Sequence, residues 1–383
     1  MLILLRSTTG CNLRCRYCSL ACGETERRDL TEEDCRLLRE RLPSLLHKGE
    51  SVRFLWHGGE PTLLAPERFR SMLDILADLE RDGHPVAYVM QTNGFRLPSA
   101  WLDILDAFSI SVGLSLDGPP SLHDAERVTA AGDGSHARIM VNLAAMRERG
   151  IPVSLLCTLR AAHLDREAEM LDWLTELNCP VRFNPLLPLG RASAGLAPKD
   201  YFRFLQRLLV LALERQLSLD IEPLGWMLAA VITGTSPREC SYGGRCGESI
   251  FAYGPDGEVL ACNRSDEVYG NLREHSLKAL YEGSPWRERR LRSARLCGRC
   301  GDCPVWAYCH GGCPVVEGDE PDATRCEARK TFFGWLRGEG LTLYQQALIR
   351  RRAELRERLR LLRRTRENFA RYLPDDMSTH EEA

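Results

Sequence analysis

The chain has 383 residues, of which 44% are apolar and 27% charged, an ordinary balance for a globular protein in water. The formal charge of −2 supplies no bulk attraction to nucleic acid or to an anionic membrane, so neither is expected as a partner. The opening Met1-Leu-Ile-Leu-Leu-Arg6 lacks the basic start and long apolar stretch of a signal peptide, and no later run is long enough to span a bilayer, which points to the cytoplasm.

Apolar runs at Leu2–Leu5, Val52–Trp56, Val86–Met90, Ile110–Leu114, Val153–Cys157 and Val181–Phe183 read as strands. Between them, Glu32–Leu46, Glu67–Asp82, Ala137–Arg149 and Arg166–Leu177 carry helical periodicity. Strand then helix, repeated about six times, predicts an α/β fold: an open, TIM-like partial (β/α)6 barrel over residues 1–195. Residues 196–239 read as a helical linker, 240–330 as a small cysteine-rich domain, and 331–383 as a C-terminal helix and tail. Gly254-Pro-Asp-Gly257, between Ile250–Tyr253 and Glu258–Leu260, predicts a hairpin. In the tail, Leu341, Tyr344, Leu348, Leu355, Leu359, Leu362, Phe369 and Leu373 line one apolar seam. Between Arg350 and Arg371 the same helix bears ten arginines against three glutamates.

Sixteen cysteines are the anomaly. Without an export signal they are expected to stay reduced, so metal ligation explains them better than disulfides. They cluster at Cys11–Cys22 and Cys240–Cys326, and the three between, Cys35, Cys157 and Cys179, read as small buried hydrophobes.

Cys11-Asn-Leu-Arg-Cys15-Arg-Tyr-Cys18 places three thiols in one short loop after the first strand. Three thiolates hold three irons of a four-iron cluster and leave the fourth open for chemistry; zinc is the bland alternative. His57-Gly-Gly-Glu-Pro61, Gln91-Thr-Asn-Gly94 and Ser115-Leu-Asp-Gly118 follow the next three strands, and all would gather at the carboxyl ends of a parallel sheet. The C-x3-C-x2-C spacing, with Tyr17 before the third cysteine, resembles the signature of the radical S-adenosylmethionine (radical SAM) superfamily. The resemblance implies that the open iron chelates S-adenosylmethionine, whose reductive cleavage yields a 5′-deoxyadenosyl radical. It also implies roles for Gly58, Gly59, Glu60 and Pro61 around the methionine amino group, Ser115 at the ribose, Arg127 on the cofactor and Tyr17 near the adenine. Asn93, Asp117 and Leu187 are weaker matches, whose plain alternative is turn chemistry.

The cysteine order from Cys246 through Cys262, Cys300, Cys303, Cys309 and Cys313 to Cys326 resembles the SPASM extension of radical SAM enzymes. The resemblance implies two auxiliary [4Fe–4S] clusters with interleaved ligands: Cys240, Cys246, Cys262 and Cys313 for one, Cys300, Cys303, Cys309 and Cys326 for the other. A zinc ribbon is the alternative. Cys297 extends the run and could replace a ligand, while Cys22 sits beside the radical site.

The size and cysteine plan also resemble anaerobic sulfatase-maturating enzymes, which oxidise Cys or Ser to formylglycine. Three departures count against that activity: His57 where those maturases have Gln, Leu20 where they have Tyr, and Asn263 where they have an Asp base after the cysteine matching Cys262. An amide cannot take up a proton as a carboxylate does. Asp266 is the candidate replacement. His before Gly-Gly-Glu-Pro is similar to maturases that crosslink ribosomal peptides, which makes a precursor peptide or protein the expected substrate and His57 a candidate acid/base or substrate-facing group. A flavodoxin- or ferredoxin-type reductant is then implied. With no room before the first strand for a leader-binding domain, the core, the arginine-rich tail or a separate leader-binding protein would hold the leader. Dehydrogenation of a small alcohol or sugar is a further alternative. A pure electron carrier would gain nothing from an open three-cysteine site.

Overall fold

A computed structural model describes residues 1–22, 26–217, 220–237, 240–318 and 320–370, with side chains described in the last helix up to residue 357 and at residue 360. The six expected strands form: β1 (Leu2–Arg6), β2 (Val52–His57), β3 (Val86–Thr92), β4 (Ser111–Ser115), β5 (Val153–Leu159) and β6 (Val181–Pro185). Four more follow, β7 (Ile221–Glu222), β8 (Ile250–Tyr253), β9 (Glu258–Leu260) and β10 (Val268–Asn271). All ten make one sheet in the order β10-β9-β8-β1-β2-β3-β4-β5-β6-β7. From β1 to β7 every neighbouring pair is parallel, the partial barrel that alternating strands and helices imply.

Alternation along each strand sets the faces. Ile3, Leu5, Phe54 and Trp56 are fully buried, and Trp56 packs edge-on against Phe69 of helix Pro66–Ala77 with ring centroids 4.5 Å apart. Phe69 in turn meets Trp101 at 4.7 Å. The first helix, Glu32–Arg41, opens on a capping box between Thr31 and Asp34, each side chain accepting from the other's backbone N–H at 3.0 Å. It stops short of Leu46 because Pro43 lacks the N–H that a further α-turn needs, and a 3-10 turn over Leu42–Ser44 takes over.

The cysteine-rich segment is continuous with the barrel sheet. The hairpin forms as read, β8 antiparallel to β9, but β8 also pairs in parallel with β1, Leu2 opposite Ile250 through Leu5 opposite Tyr253. The Tyr253 hydroxyl donates to the Asp34 carbonyl at 2.9 Å, and Arg273 pairs with the Asp34 carboxylate at 2.9 Å. Trp286 stacks on Tyr269 at 4.6 Å behind this hairpin.

The helical stretch read over 198–233 is interrupted. Pro198–Glu214 and Leu224–Thr233 are helices, and between them β7 adds to the edge of β6. Pro223, without a backbone donor, ends one element and precedes the next helix. The tail helix, Leu341–Ala370, continues from Ala323–Trp335 through a π-turn at Leu336–Gly340. Its apolar seam is split: Tyr344 packs on the core, whereas Leu348 and Leu355 are 45% and 58% exposed. The side chains of Leu359, Leu362, Phe369 and Leu373 lie outside the described residues. Cys35, Cys157 and Cys179 are buried, as small hydrophobes are. Among the described residues no helix is long and apolar enough to cross a membrane.

Candidate active site

Parallel strands bring four loops to one edge of the barrel. Arg6 and His57 end β1 and β2 directly opposite each other, one residue beyond Leu5 and Trp56, so they face away from the helical layer. Beyond them the chain needs glycine. Gly58 has φ of 107°, and a Cβ there would lie 2.7 Å from the Thr8 carbonyl oxygen; at Gly59 it would lie 1.8 Å from that of Gly10. The resulting close approach lets Gly59 and Glu60 donate backbone N–H groups to Thr8 and Gly10, at 2.7 and 2.9 Å. This sets the His57–Pro61 loop against the chain leading into Cys11.

Cys11, Cys15 and Cys18 all open onto one cavity, whose walls include Gly58, Gly59 and Glu60. Glu60 is 1% exposed. Its Oε1 accepts from Thr62 N at 3.1 Å, Thr62 Oγ1 at 2.8 Å and Thr92 Oγ1 at 2.6 Å, and Oε2 accepts from Asn93 N at 2.7 Å. Burial pushes its carboxyl up despite these donors, and an ammonium group beside it would favour the ionised form. Asn93 also lines the cavity and donates Nδ2 to Asn12 at 2.8 Å and towards the Cys11 sulfur at 3.7 Å. Burial, with Glu60 adding its charge, pushes the Cys11 thiol up to about 12. Three thiols lining one cavity with a buried carboxylate are the donor types that suit a site-differentiated iron–sulfur cluster and the amino group of S-adenosylmethionine.

Tyr17, Ser115, Arg127 and Leu187 line the same cavity; Pro61 is buried in the turn Pro61–Leu63, and Asp117 lies behind the wall. Asp117 is fully buried and accepts from Arg127 Nε at 2.9 Å, Arg127 Nη2 at 3.3 Å, Thr158 N at 2.9 Å and the Tyr17 hydroxyl. Burial alone would raise its pKa, but the Arg127 guanidinium overrides it and holds the carboxyl well below the usual range. The guanidinium groups of Arg127 and Arg160 lie over the Tyr17 ring at 5.4 and 5.6 Å. Asp117 is thus a positioning residue for Arg127 and Tyr17 rather than a cavity group.

His57 and Asn263 both line the cavity and meet there. Arg6 Nε donates to Asn263 Oδ1 at 3.2 Å, and arginine cannot accept, so the amide orientation is set. Asn263 Nδ2 then faces His57 Nδ1 at 2.8 Å, and Gly58 N donates to the same nitrogen at 2.7 Å; the Gly58 carbonyl oxygen is farther, at 3.4 Å. Two donors require Nδ1 to be unprotonated, which puts the proton on Nε2. Burial lowers the His57 pKa to about 4, in keeping with a neutral ring. His57 therefore presents a donor, and the acid/base role expected from the sequence does not fit its hydrogen bonds. Nor does the structure bring Asp266 to the site: it is exposed and lines neither cavity described here. Arg6 Nη2 grips the carbonyls of Cys262, Asn263 and Ser265 at 3.3, 3.2 and 3.0 Å, turning Asn263 inward and leaving Asp266 outside.

Among the second set of cysteines, burial pushes the thiols of Cys262 and Cys326 up. Cys313 adds to the effect at Cys262, and Cys309 and Cys300 add to it at Cys326. Backbone N–H of Arg264 points at the Cys262 sulfur at 3.2 Å, and Arg329 Nη1 at that of Cys309 at 3.8 Å, donors of the kind that tune a cluster. A second cavity runs from Cys313 along Phe183, Tyr201, Tyr242 and Val316 and shares Asn184, Pro185, Leu187 and Arg264 with the first.

The sequence profile of the Radical SAM superfamily matches residues 5–174, and that of SPASM, an iron–sulfur cluster-binding domain, matches residues 245–304. The chain is a radical SAM/SPASM enzyme. Its cofactors are S-adenosylmethionine and [4Fe–4S] clusters, one on the radical SAM loop and two auxiliary. It is 24% identical to a cysteine-type anaerobic sulfatase-maturating enzyme of Clostridium novyi over 87% of this chain and 94% of that one. The structure of native anSMEcpe with bound AdoMet superposes with a TM-score of 0.78 at 23% identity, covering 91% of this chain and 99% of the other. Streptococcus suis SuiB bound to its precursor peptide SuiA gives 0.62 at 19% identity, covering 84% and 75%.

The radical SAM/SPASM enzyme also uses residues that the sequence reading passed over. Gln91 Nε2 donates to Ser115 Oγ at 2.9 Å, Thr92 holds Glu60, and Arg191 braces the cysteine loop through the carbonyls of Cys15 and Cys22 at 3.3 and 2.9 Å. Gln91 and Thr92 stand in a strand-end motif already noted; Arg191 carried no local signal.

Proposed function

We propose that this enzyme is a peptide maturase that closes a side-chain crosslink in a ribosomally made precursor. The Arg6–Asn263–His57 chain carries this reading: the position that holds a carboxylate base in sulfatase maturases holds an amide locked between two hydrogen bonds. When bound, S-adenosylmethionine and the clusters would supply the means to take one hydrogen atom from a side-chain carbon and a sink for the surplus electron. Joining that carbon to a second side-chain atom releases a proton, so the product has lost two hydrogens. Glu60 binds the amino group of S-adenosylmethionine, Arg127 and Tyr17 hold its adenosine side, and His57 directs Nε2–H at the substrate. The second cavity accommodates the peptide along the auxiliary-cluster side.

A second reading, formylglycine formation on a sulfatase, is favoured by the likeness to sulfatase-maturating enzymes across 87% of the chain. Anaerobically reconstituted enzyme with reductant, S-adenosylmethionine and candidate peptides separates the two. A product short of two hydrogens and inert to hydrazide supports ring closure. A hydrazide-reactive aldehyde at Cys or Ser supports formylglycine.

A further inference from the structure

The structure assigns the junction of the two cavities as a carboxylate-binding subsite, in which Arg264 and the Nε2–H of His57 receive an acidic group of the substrate next to the reacting carbon. This rests on the reading of the chain as a peptide maturase and names the substrate feature that the site selects.

Two independent observations carry it. The first is the tautomer of His57: with Nδ1 taken by Asn263 and Gly58, the ring has only a donor left, and no described residue accepts from it. The second is Arg264. Its side chain is exposed, lines both cavities, and forms no hydrogen bond or ion pair among the described residues. It sits one residue beyond Asn263, close enough to His57 for its charge to act on the ring. The wall facing the substrate therefore offers two donors.

The surrounding charge has the same sign. The second cavity is lined by Arg182, Arg264, Arg325 and Arg329 against a single carboxylate, Glu317. That carboxylate is engaged by Arg329 and lies 3.9 Å from Arg325. Arg182 lies over the Trp226 ring at 5.0 Å and donates to Asn184 at 3.2 Å, which leaves Arg264 to meet an incoming ligand. A planar guanidinium and a carboxylate pair in a bidentate fork, and a nearby imidazole N–H completes a third bond. A basic peptide residue at this place would meet like charge.

The carboxylate can come from an Asp or Glu side chain or from a peptide C-terminus, and one experiment separates them. Fluorescein-labelled short peptides are prepared in pairs that differ only in Asp against Asn, each with an acid and an amide C-terminus. Their affinity for the anaerobically reconstituted, S-adenosylmethionine-loaded enzyme is read by anisotropy. The Asp member, or the acid C-terminus, is expected to bind about tenfold tighter or more, with the preference shrinking as salt rises. Arg264→Leu should abolish the preference and Arg264→Lys should keep part of it, both with cluster absorbance unchanged. Equal affinity within every pair, no binding by any peptide, or an unchanged preference in Arg264→Leu overturns the assignment. Product analysis is separate: an aldehyde product with the Asp preference intact would sink the crosslink reading and leave the subsite standing. A crosslinked product formed equally from both members would do the reverse.

Discussion

Asn263 donates its side-chain amide to Nδ1 of His57 at 2.8 Å, across a sequence separation of 206 residues. This contact joins the end of β2 to the loop after β9, and it exists because β8 pairs with β1 and lets Arg6 hold that loop. It gives the site a neutral histidine donor held by an amide, at the position for which an aspartate is expected in sulfatase-maturating enzymes.

Placing that carboxylate back reverses the proton demand. In the wild type His57 titrates at about 4, so it stays neutral through the neutral range and contributes no limb to turnover there. Asn263→Asp puts an anion beside Nδ1, favours the charged ring and moves its pKa up towards or past the ordinary value of about 6.5. The pH profile of peptide turnover is expected to gain a limb near neutrality; an unchanged profile would show that charge at position 263 does not reach His57.

Gly59→Ala tests the close approach of the strand-end loop to the cysteine loop. The new Cβ would stand 1.8 Å from the Gly10 carbonyl oxygen, so backbone must move, at about 1–3 kcal/mol for an overpacked site. S-adenosylmethionine affinity, measured by equilibrium dialysis of reconstituted protein, should fall about tenfold or more. Wild-type affinity would mean that the two loops can separate without disturbing the site.

Asp117→Asn leaves Arg127 buried without its counter-charge. The expected cost is about 3–5 kcal/mol, seen as a lower melting temperature of the anaerobic protein. The folded Asp117 carboxyl lies below its unfolded value of about 4, so its contribution is complete above that pH and is lost as pH falls below it. The gap between wild type and variant should therefore narrow on acidification below about pH 4; a gap that widens there would contradict the assignment.

Iron counting separates ligands from bystanders. The wild type should hold about twelve irons per chain, and replacing Cys11, Cys15 and Cys18 together with Ala should leave about eight and abolish S-adenosylmethionine cleavage. Cys297→Ala should leave the count unchanged. A loss of about four irons would instead put Cys297 among the auxiliary ligands.

Much of this was legible in local pattern. The six parallel strands, the cysteine spacing and the polar motifs at the strand ends depend on periodicity and on loops of a few residues, and the chain carries both in order. The buried carboxylate of Glu60 and the cavity position of Tyr17, Asn93, Ser115 and Arg127 follow directly once those loops gather at one edge. Long-range pairing was another matter. No short-range pattern told that β8 would add to β1, that Ile221–Glu222 would interrupt a helical stretch to pair with β6, or that Arg6 would turn Asn263 inward and Asp266 outward. Hydrogen-bond direction at His57 was equally hidden, because a tautomer is decided by which donors surround the ring, and here one of them arrives from far along the chain. Chemistry-bearing residue types are chosen locally; which of them face one another is decided by the packing of the whole sheet.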